Sequence, residues 1–403
     1  MDNTYVLKYG GTSVSSIDKI KSIARQLVKR QVAGDNLIVV VSAMGKSTDT
    51  LIEKAFNITE TPCKRDLDIL MATGEQVTIA LLSMAIKELG QDALALTGFQ
   101  AGINTNADHT QARISQVKTE KIEAGLANGK IVVVAGFQGI NEHGDITTLG
   151  RGGSDTSAVS IAATLNCPCE IYTDVDGIYT IDPRVYPTAK KLDVITIEEM
   201  LEMASRGANV LETRSVELAH KYNVPLYVGE AHANGKNGTN IMKWSENMES
   251  KVVTGLALED SCLMVSLNLV PYGPSNISMI FERIASANIN IDMISQTAPY
   301  DSFVNISFSS YESEKHKIKA IIEDLKEEMP TIDYIIDDSV VKLSVVGIGM
   351  VSQSGVASML FSILSDNDIE FYQVTTSEIS ISYTINEYDK ERAVALISER
   401  FGL

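Results

Sequence analysis

Basic residues are in short supply in this 403-residue chain. Lys and Arg number 34 against 52 Asp and Glu, a net charge of −18. Recognition of a phosphate backbone needs clustered Lys and Arg, so nucleic acid is excluded as the main partner. Apolar runs of about 18 residues are absent, so no membrane-spanning segment is expected. The N-terminal stretch "MDNTYVLK" lacks the basic, apolar pattern of a secretory signal. Cysteine is rare as well: Cys63, Cys167, Cys169 and Cys262. Only Cys167 and Cys169 are close, and a Cys-Pro-Cys triplet lacks the spacing of a zinc knuckle. Reduced thiols in a cytoplasmic protein are the expectation.

A hydrophobic content of 44% with 21% charged residues fits a globular protein. The length predicts two or three domains. Over the first two thirds, strand and helix signals alternate. "YVL" (5–7) reads as a strand, and a helix follows from Ser15, an expected N-cap with Asp18 three residues on, to a stop near Gly34. "NLIVVVSA" (36–43) and "KIVVVAGFQGI" (130–140) are strands buried on both faces. "EQVTIALLSMAIKELG" (75–90), "TSAVSIAATLN" (156–166), 198–207 and 213–222 read as helices; 92–98, 169–175 and 225–229 read as strands. This order predicts a mostly parallel sheet between helices, with ligands at the carboxyl ends of its strands.

Glycine, asparagine and charge dominate 231–250, which marks a domain boundary. Beyond it lies a repeat. "SMIFERIASANINI" (278–291) matches "SMLFSILSDNDIEF" (358–371) at a constant offset, with alternating strands on both flanks. That is the start of a βαββαβ, ferredoxin-like unit. The expected division is 1–245, a linker or strand at 246–260, then 261–335 and 336–403. The strand at 252–259 is a candidate member of the second repeat.

Three polar stretches carry the chemistry. In "KYGGTS" (8–13), Gly10 and Gly11 let backbone N–H groups approach an anion, and Lys8 adds positive charge. Alone, such a glycine pair is more often a simple turn. "TTLGRGGSDTSA" (147–158) again opens a helix and holds Arg151, able to clasp a carboxylate, and Asp155, either a helix cap or a site acid. "YTDVDGIYTIDPR" (172–184) places Thr173 and Asp174 at a strand end. Two anion sites on one parallel sheet, plus this loop, point to a nucleotide beside an anionic co-substrate.

These stretches, with "VSAMGKSTD" (41–49) and "TGE" (73–75), resemble the aspartate kinases of the amino-acid kinase superfamily, and the two repeats resemble ACT domains. The resemblance implies a three-layer αβα, carbamate-kinase-like α/β fold with two ferredoxin-like domains. It implies phosphoryl transfer from ATP to the side-chain carboxylate of L-aspartate, with magnesium riding on the phosphates. By the same likeness Lys8 meets the γ-phosphoryl group, and Gly10, Gly11, Thr12 and Ser13 cradle the phosphates. Asp155 organises Lys8. Arg151 and Ser154 hold the substrate's α-carboxylate, Glu75 its ammonium, and Ser42 and Thr48 complete the pocket. Thr173, Asp174, Tyr179 and Arg184 contact the nucleotide.

An amino-acid effector, lysine or threonine, is implied at Ser275, Asn276 and Ile277 with Asn290, Ile291 and Asp292. Gly355, Val356, Ser377 and Glu378 correspond in the second repeat. Asp292 favours lysine, because it offers an anion to a cationic ligand. Paired ACT domains imply a homodimer or homotetramer. One departure stands out: "GANVLETRSVE" (207–217) carries Asn209 where many relatives read "GAKVLHPRSVE", with a lysine near the phosphates. Lys46 or Arg184 are candidate substitutes. Competing readings are another small-carboxylate kinase, and an amino-acid sensor whose kinase unit is impaired at Asn209. No fused dehydrogenase is expected.

A carboxylate acceptor ionises near pH 4, so it needs no general base at neutral pH. None of the five histidines falls in these motifs. Positioning and charge neutralisation are left to do the catalysis.

Overall fold

A computed structural model describes residues 3–208, 210–233, 237–243 and 251–403. Asn209 and the first part of the expected linker, 246–250, lie outside the described residues. The chain divides into two compact units: Met1–Ile178, Lys191–Ala204 and Asn209–Met248 form one, and Tyr179–Lys190, Ser205–Ala208 and Glu249–Leu403 the other.

The first unit is built on an eight-stranded sheet in the order Val194–Thr196, Thr239–Met242, Leu226–Glu230, Cys169–Thr173, Thr4–Tyr9, Asn36–Val41, Ile131–Ala135, Ala93–Leu96. All neighbours pair in parallel except Leu226–Glu230 with Thr239–Met242. Thr4–Tyr9 is central, so its residues are buried on both faces, which is why it reads as a continuous apolar run. Successive side chains alternate between faces. Leu7 and Tyr9 join a core with Ile20, Ile23 and Leu27 of helix Ile17–Val32 and Ile79, Leu82 and Ile86 of helix Lys64–Glu88. Lys8 therefore faces the other side, where helix Gly153–Leu165 lies. Helices cover both faces, and the α/β architecture is the expected one.

Local detail differs in instructive ways. The first helix is capped by Ser16, which accepts the Lys19 N–H, while the Ser15 hydroxyl donates to the Thr12 carbonyl. The expected cap at Ser15 is thus one residue early, because Ser15 is still closing the glycine turn. The run 130–140 breaks into Ile131–Ala135 and Gln138–Ile140 at Phe137, a non-glycine residue with φ +67°. Helix Lys64–Glu88 is long and apolar enough by composition to cross a membrane, which the search for uninterrupted apolar runs overlooked. Half of that stretch is buried, and it carries Asp68 and Glu75. Asp68 is fully buried and accepts from His109 Nδ1 at 2.6 Å, Thr148 Oγ1 at 2.5 Å and the Thr110 N–H at 3.1 Å. A carboxylate this well satisfied identifies a core helix.

The second unit holds a six-stranded antiparallel sheet in the order Asp292–Gln296, Phe303–Tyr311, Gly255–Pro271, Asp333–Val346, Ser380–Asn386, Phe371–Thr376. Gly255–Pro271 and Asp333–Val346 each run through both repeats: Leu256 pairs with Val345 and Leu267 with Tyr334, with a register shift at Cys262. One core gathers Ile280, Ile284, Ile318 and Leu325 from helices Pro274–Ser286 and Lys315–Glu328. Another gathers Leu360, Leu364, Val394 and Ile397 from Val356–Asp366 and Lys390–Phe401, together with Ile181 of the segment 179–190.

Candidate active site

The glycine pair sits at the carboxyl end of the central strand. The Gly10 N–H donates to the Tyr172 carbonyl at 3.1 Å, and the Ser13 N–H turns back to the Gly10 carbonyl. A Cβ at Gly11 would stand 2.9 Å from the Ala43 carbonyl oxygen, so only glycine lets the loops after the first and second strands touch. The Gly45 N–H then bonds the Gly11 carbonyl at 3.0 Å. A Cβ at Gly10 would lie 3.5 Å from Lys8 Nζ, so the lysine head lies beside the bare backbone. A cation thus lies against a backbone turn without side chains, an arrangement suited to an anion.

Lys8 Nζ meets Asp155 Oδ1 at 2.7 Å, both side chains 11% exposed. Asp155 stands in the first turn of helix Gly153–Leu165, which Gly152 opens at φ +65°. Ser154 is buried in the same turn, and a Cβ on Gly136 would meet its Oγ at 2.9 Å. Arg151 is exposed just before the helix and makes no ion pair among the described residues.

Glu75 projects from helix Lys64–Glu88 and accepts the Ala43 N–H at 3.0 Å, next to Ser42. Its second oxygen is buried without a hydrogen-bond partner. Burial pushes the Glu75 carboxyl up to about 7 against the opposing pull of that N–H. The neighbouring Gly74 has room for Ala43 only because it lacks a Cβ, and Thr48 Oγ1 lies 3.9 Å from where that Cβ would be. Ser42, Thr48 and Glu75 are therefore brought together. Thr173 donates to Asp174 at 2.9 Å at the end of its strand. Tyr179 and Arg184 belong to the second unit, where the exposed Arg184 pairs with Asp182 at 2.6 Å.

Sequence reasoning missed two residues here. His232 Nε2 lies 3.1 Å from the Ser13 carbonyl of the glycine loop. Glu212, the N-cap residue of helix Thr213–Tyr222, lies against Gly152. Glu212 falls within the stretch 207–217, where attention went to Asn209, and His232 lies in a stretch without a motif, so the contacts of both come from the fold.

In the second unit, Asp292 is already engaged. Arg206 Nη1 stands 2.9 Å from it and Lys342 Nζ 2.7 Å. Lys342, 4% exposed, also pairs with Glu259 at 2.7 Å. Burial pushes the Asp292 carboxyl up, but Lys342 and Arg206 outweigh it and hold it below the usual range. The free anion that favoured lysine is thus neutralised by two cations. They line a cavity of about 270 Å³ with Asn290, Ile291 and Ser309. Asn276 donates to the Pro271 carbonyl at 3.0 Å near the start of helix Pro274–Ser286, where Ser275 and Ile277 also lie. In the second repeat Gly355 caps helix Val356–Asp366 at φ +99°, and Ser377 closes a tight turn with Ser380 ahead of which Glu378 is exposed.

Comparison with known proteins identifies the family. The model of the amino acid kinase family matches residues 3–230, and an ACT domain model matches 343–401. The chain is 45% identical to an aspartate kinase of Pseudomonas putida and 45% identical to aspartokinase 2 of Bacillus subtilis, in each case over 99% of this chain and 97% of the relative. Escherichia coli aspartokinase III, solved in complex with aspartate and ADP, superposes with a TM-score of 0.81 at 23% identity, over 98% of this chain and 99% of that one. The chain belongs to the amino acid kinase family and, within it, to the aspartate kinases.

Proposed function

We propose that this chain transfers the γ-phosphoryl group of ATP to the side-chain carboxylate of L-aspartate, giving 4-phospho-L-aspartate and ADP. This is the step that opens lysine, threonine and methionine biosynthesis. The observation that carries the reading is the Lys8–Asp155 pair at 2.7 Å beside the bare Gly10–Gly11 backbone. Asp155 holds the ammonium of Lys8 where charge develops on the transferring group. The N–H groups of Gly11 and Thr12 are left to bind the phosphates, those of Gly10 and Ser13 being held by the Tyr172 and Gly10 carbonyls, with Thr173 and Asp174 at the nucleotide's flank. Arg151 and Ser154 take the α-carboxylate of aspartate. Glu75, with one oxygen unpartnered, takes its ammonium, and Ser42 and Thr48 orient the acceptor carboxylate.

Among the described residues no cluster of three His, Cys, Asp or Glu could hold a metal. Magnesium rides mainly on the phosphate oxygens and neutralises their charge, as the hard-oxygen chemistry of this ion prefers. The second unit binds an amino-acid effector, lysine in preference to threonine, at 275–277 and 290–292. Its ammonium group exchanges with Arg206 or Lys342 at Asp292. Inhibition follows if that complex is tighter in a low-activity state. The enzyme works in the cytoplasm as a homodimer or homotetramer joined through its ACT domains, 261–335 and 336–403.

Hydroxylamine trapping with Mg-ATP and L-aspartate is the direct test. Aspartyl hydroxamate formation, suppressed by added lysine, is expected. Effector binding without hydroxamate would favour the sensor reading that Asn209 raised.

A further inference from the structure

Glu212 is a carboxylate at the edge of the acceptor site with no assigned work. It is the N-cap residue of helix Thr213–Tyr222, yet its side chain makes no capping bond. Its backbone carbonyl is fixed instead, accepting from Ser215 N at 2.9 Å and Ser215 Oγ at 2.7 Å. The side chain lies flat on Gly152: a Cβ there would fall 2.0 Å from Glu212 Cγ and 2.9 Å from its Cδ. Gly152 follows Arg151 directly, and both Glu212 and Arg151 line one cavity of about 1100 Å³ in the first unit. Burial pushes the Glu212 carboxyl up, Arg151 pulls it down, Asp155 pushes it up and Lys8 pulls it down. Arg113, Arg214 and Glu217 are the other charged groups on that cavity.

A fixed anion beside an arginine is a competitor for any anion the arginine is meant to bind. We propose that Glu212 is a positioning residue acting through Arg151, where its ionised carboxylate contests the guanidinium with the α-carboxylate of the acidic substrate. Acceptor affinity is then weaker when Glu212 is ionised and stronger when it is neutral. The inference rests on the reading of aspartate as acceptor.

The test compares wild type with Glu212→Gln, full chain, by calorimetric titration of L-aspartate between about pH 5.5 and 8.5 with kcat measured alongside. The ratio of wild-type to variant Kd is expected at about threefold at the alkaline end and smaller at the acid end, where the raised Glu212 carboxyl begins to take up its proton, with kcat nearly equal. Glu75 titrates in both proteins and cancels in the ratio. Glu212→Met, an apolar match in size, is expected to follow Glu212→Gln. A ratio that does not change with pH, or weaker binding in both variants, overturns the proposal. Wild type that binds aspartate with the expected ratio but yields no hydroxamate overturns the kinase reading alone. Wild type that binds no aspartate overturns both.

Discussion

Lys8 Nζ and Asp155 Oδ1 stand 2.7 Å apart although 147 positions separate them, because a central strand and the start of a helix meet on one face of the sheet. The pair is nearly closed to water, so the ammonium acts in a low dielectric and its position is set before substrate arrives. Replacing Lys8 by Ala should lower kcat about a hundredfold or more while changing nucleotide affinity far less. Asp155→Asn should also lose kcat, since the lysine then has no fixed partner. Near-normal turnover in Lys8→Ala, measured by hydroxamate formation alongside ADP titration, would remove the lysine from its role.

Much of this site was legible before the fold was known. A lysine ending an apolar strand against two glycines drew attention by itself, and the likeness to aspartate kinases implied Asp155, otherwise readable as a helix cap, as its partner. Their meeting follows from strand alternation, which sends Leu7 and Tyr9 to one face and Lys8 to the other. Glu212 was not legible, because its contact with Gly152 spans 60 positions and depends on two helices lying side by side. Arg206 and Lys342 were hidden for the same reason, each reaching Asp292 from a distant stretch. The small sheet of Ile103–Thr105, Ile114–Val117, Gln138–Ile140 and Ile146–Thr148 escaped too, since strands of three or four residues are too short for alternation to register.

Glu75 makes stability depend on pH. Its carboxyl is pushed from 4.5 to about 7 in the fold by burial. Between those values the unfolded chain has already released the proton that the folded protein keeps, so stability falls as pH rises, by about 3 kcal/mol in total. Glu75→Gln should therefore gain urea resistance over wild type near pH 8 and gain nothing near pH 4. Aspartate's ammonium favours the ionised form, so calorimetry near pH 6 in buffers of differing ionisation enthalpy should show a proton released on binding. A buffer-independent heat would count against the ammonium contact.

Gly11→Ala tests the cradle itself. The new methyl would stand 2.9 Å from the Ala43 carbonyl oxygen and 3.3 Å from that of Gly45, so the two loops must part. A loss of about 1–3 kcal/mol in stability is expected, with KM for ATP raised more than KM for aspartate. Equal effects on both substrates would show that the loop does not favour the nucleotide side.

Lys342 lies on a strand whose neighbours Val341 and Leu343 enter the second repeat's core, leaving its own side chain on the opposite face between Glu259 and Asp292. Burial pulls its ammonium down, but the two carboxylates outweigh that and raise it above the usual lysine value. Removing the cation leaves two acids facing each other, with Arg206 still paired to Asp292. Lys342→Met should cost about 2 kcal/mol, less than the full price of a broken buried pair because the Asp292 side chain is 41% exposed. Arg206→Ala, by contrast, removes a competitor for Asp292 while Lys342 keeps the acid charged. It should therefore tighten lysine binding and lower the lysine concentration giving half inhibition, with uninhibited turnover little changed. Unaltered lysine sensitivity in Arg206→Ala would mean that the effector's ammonium is bound elsewhere, and Asp292 would then be a structural ion-pair centre only.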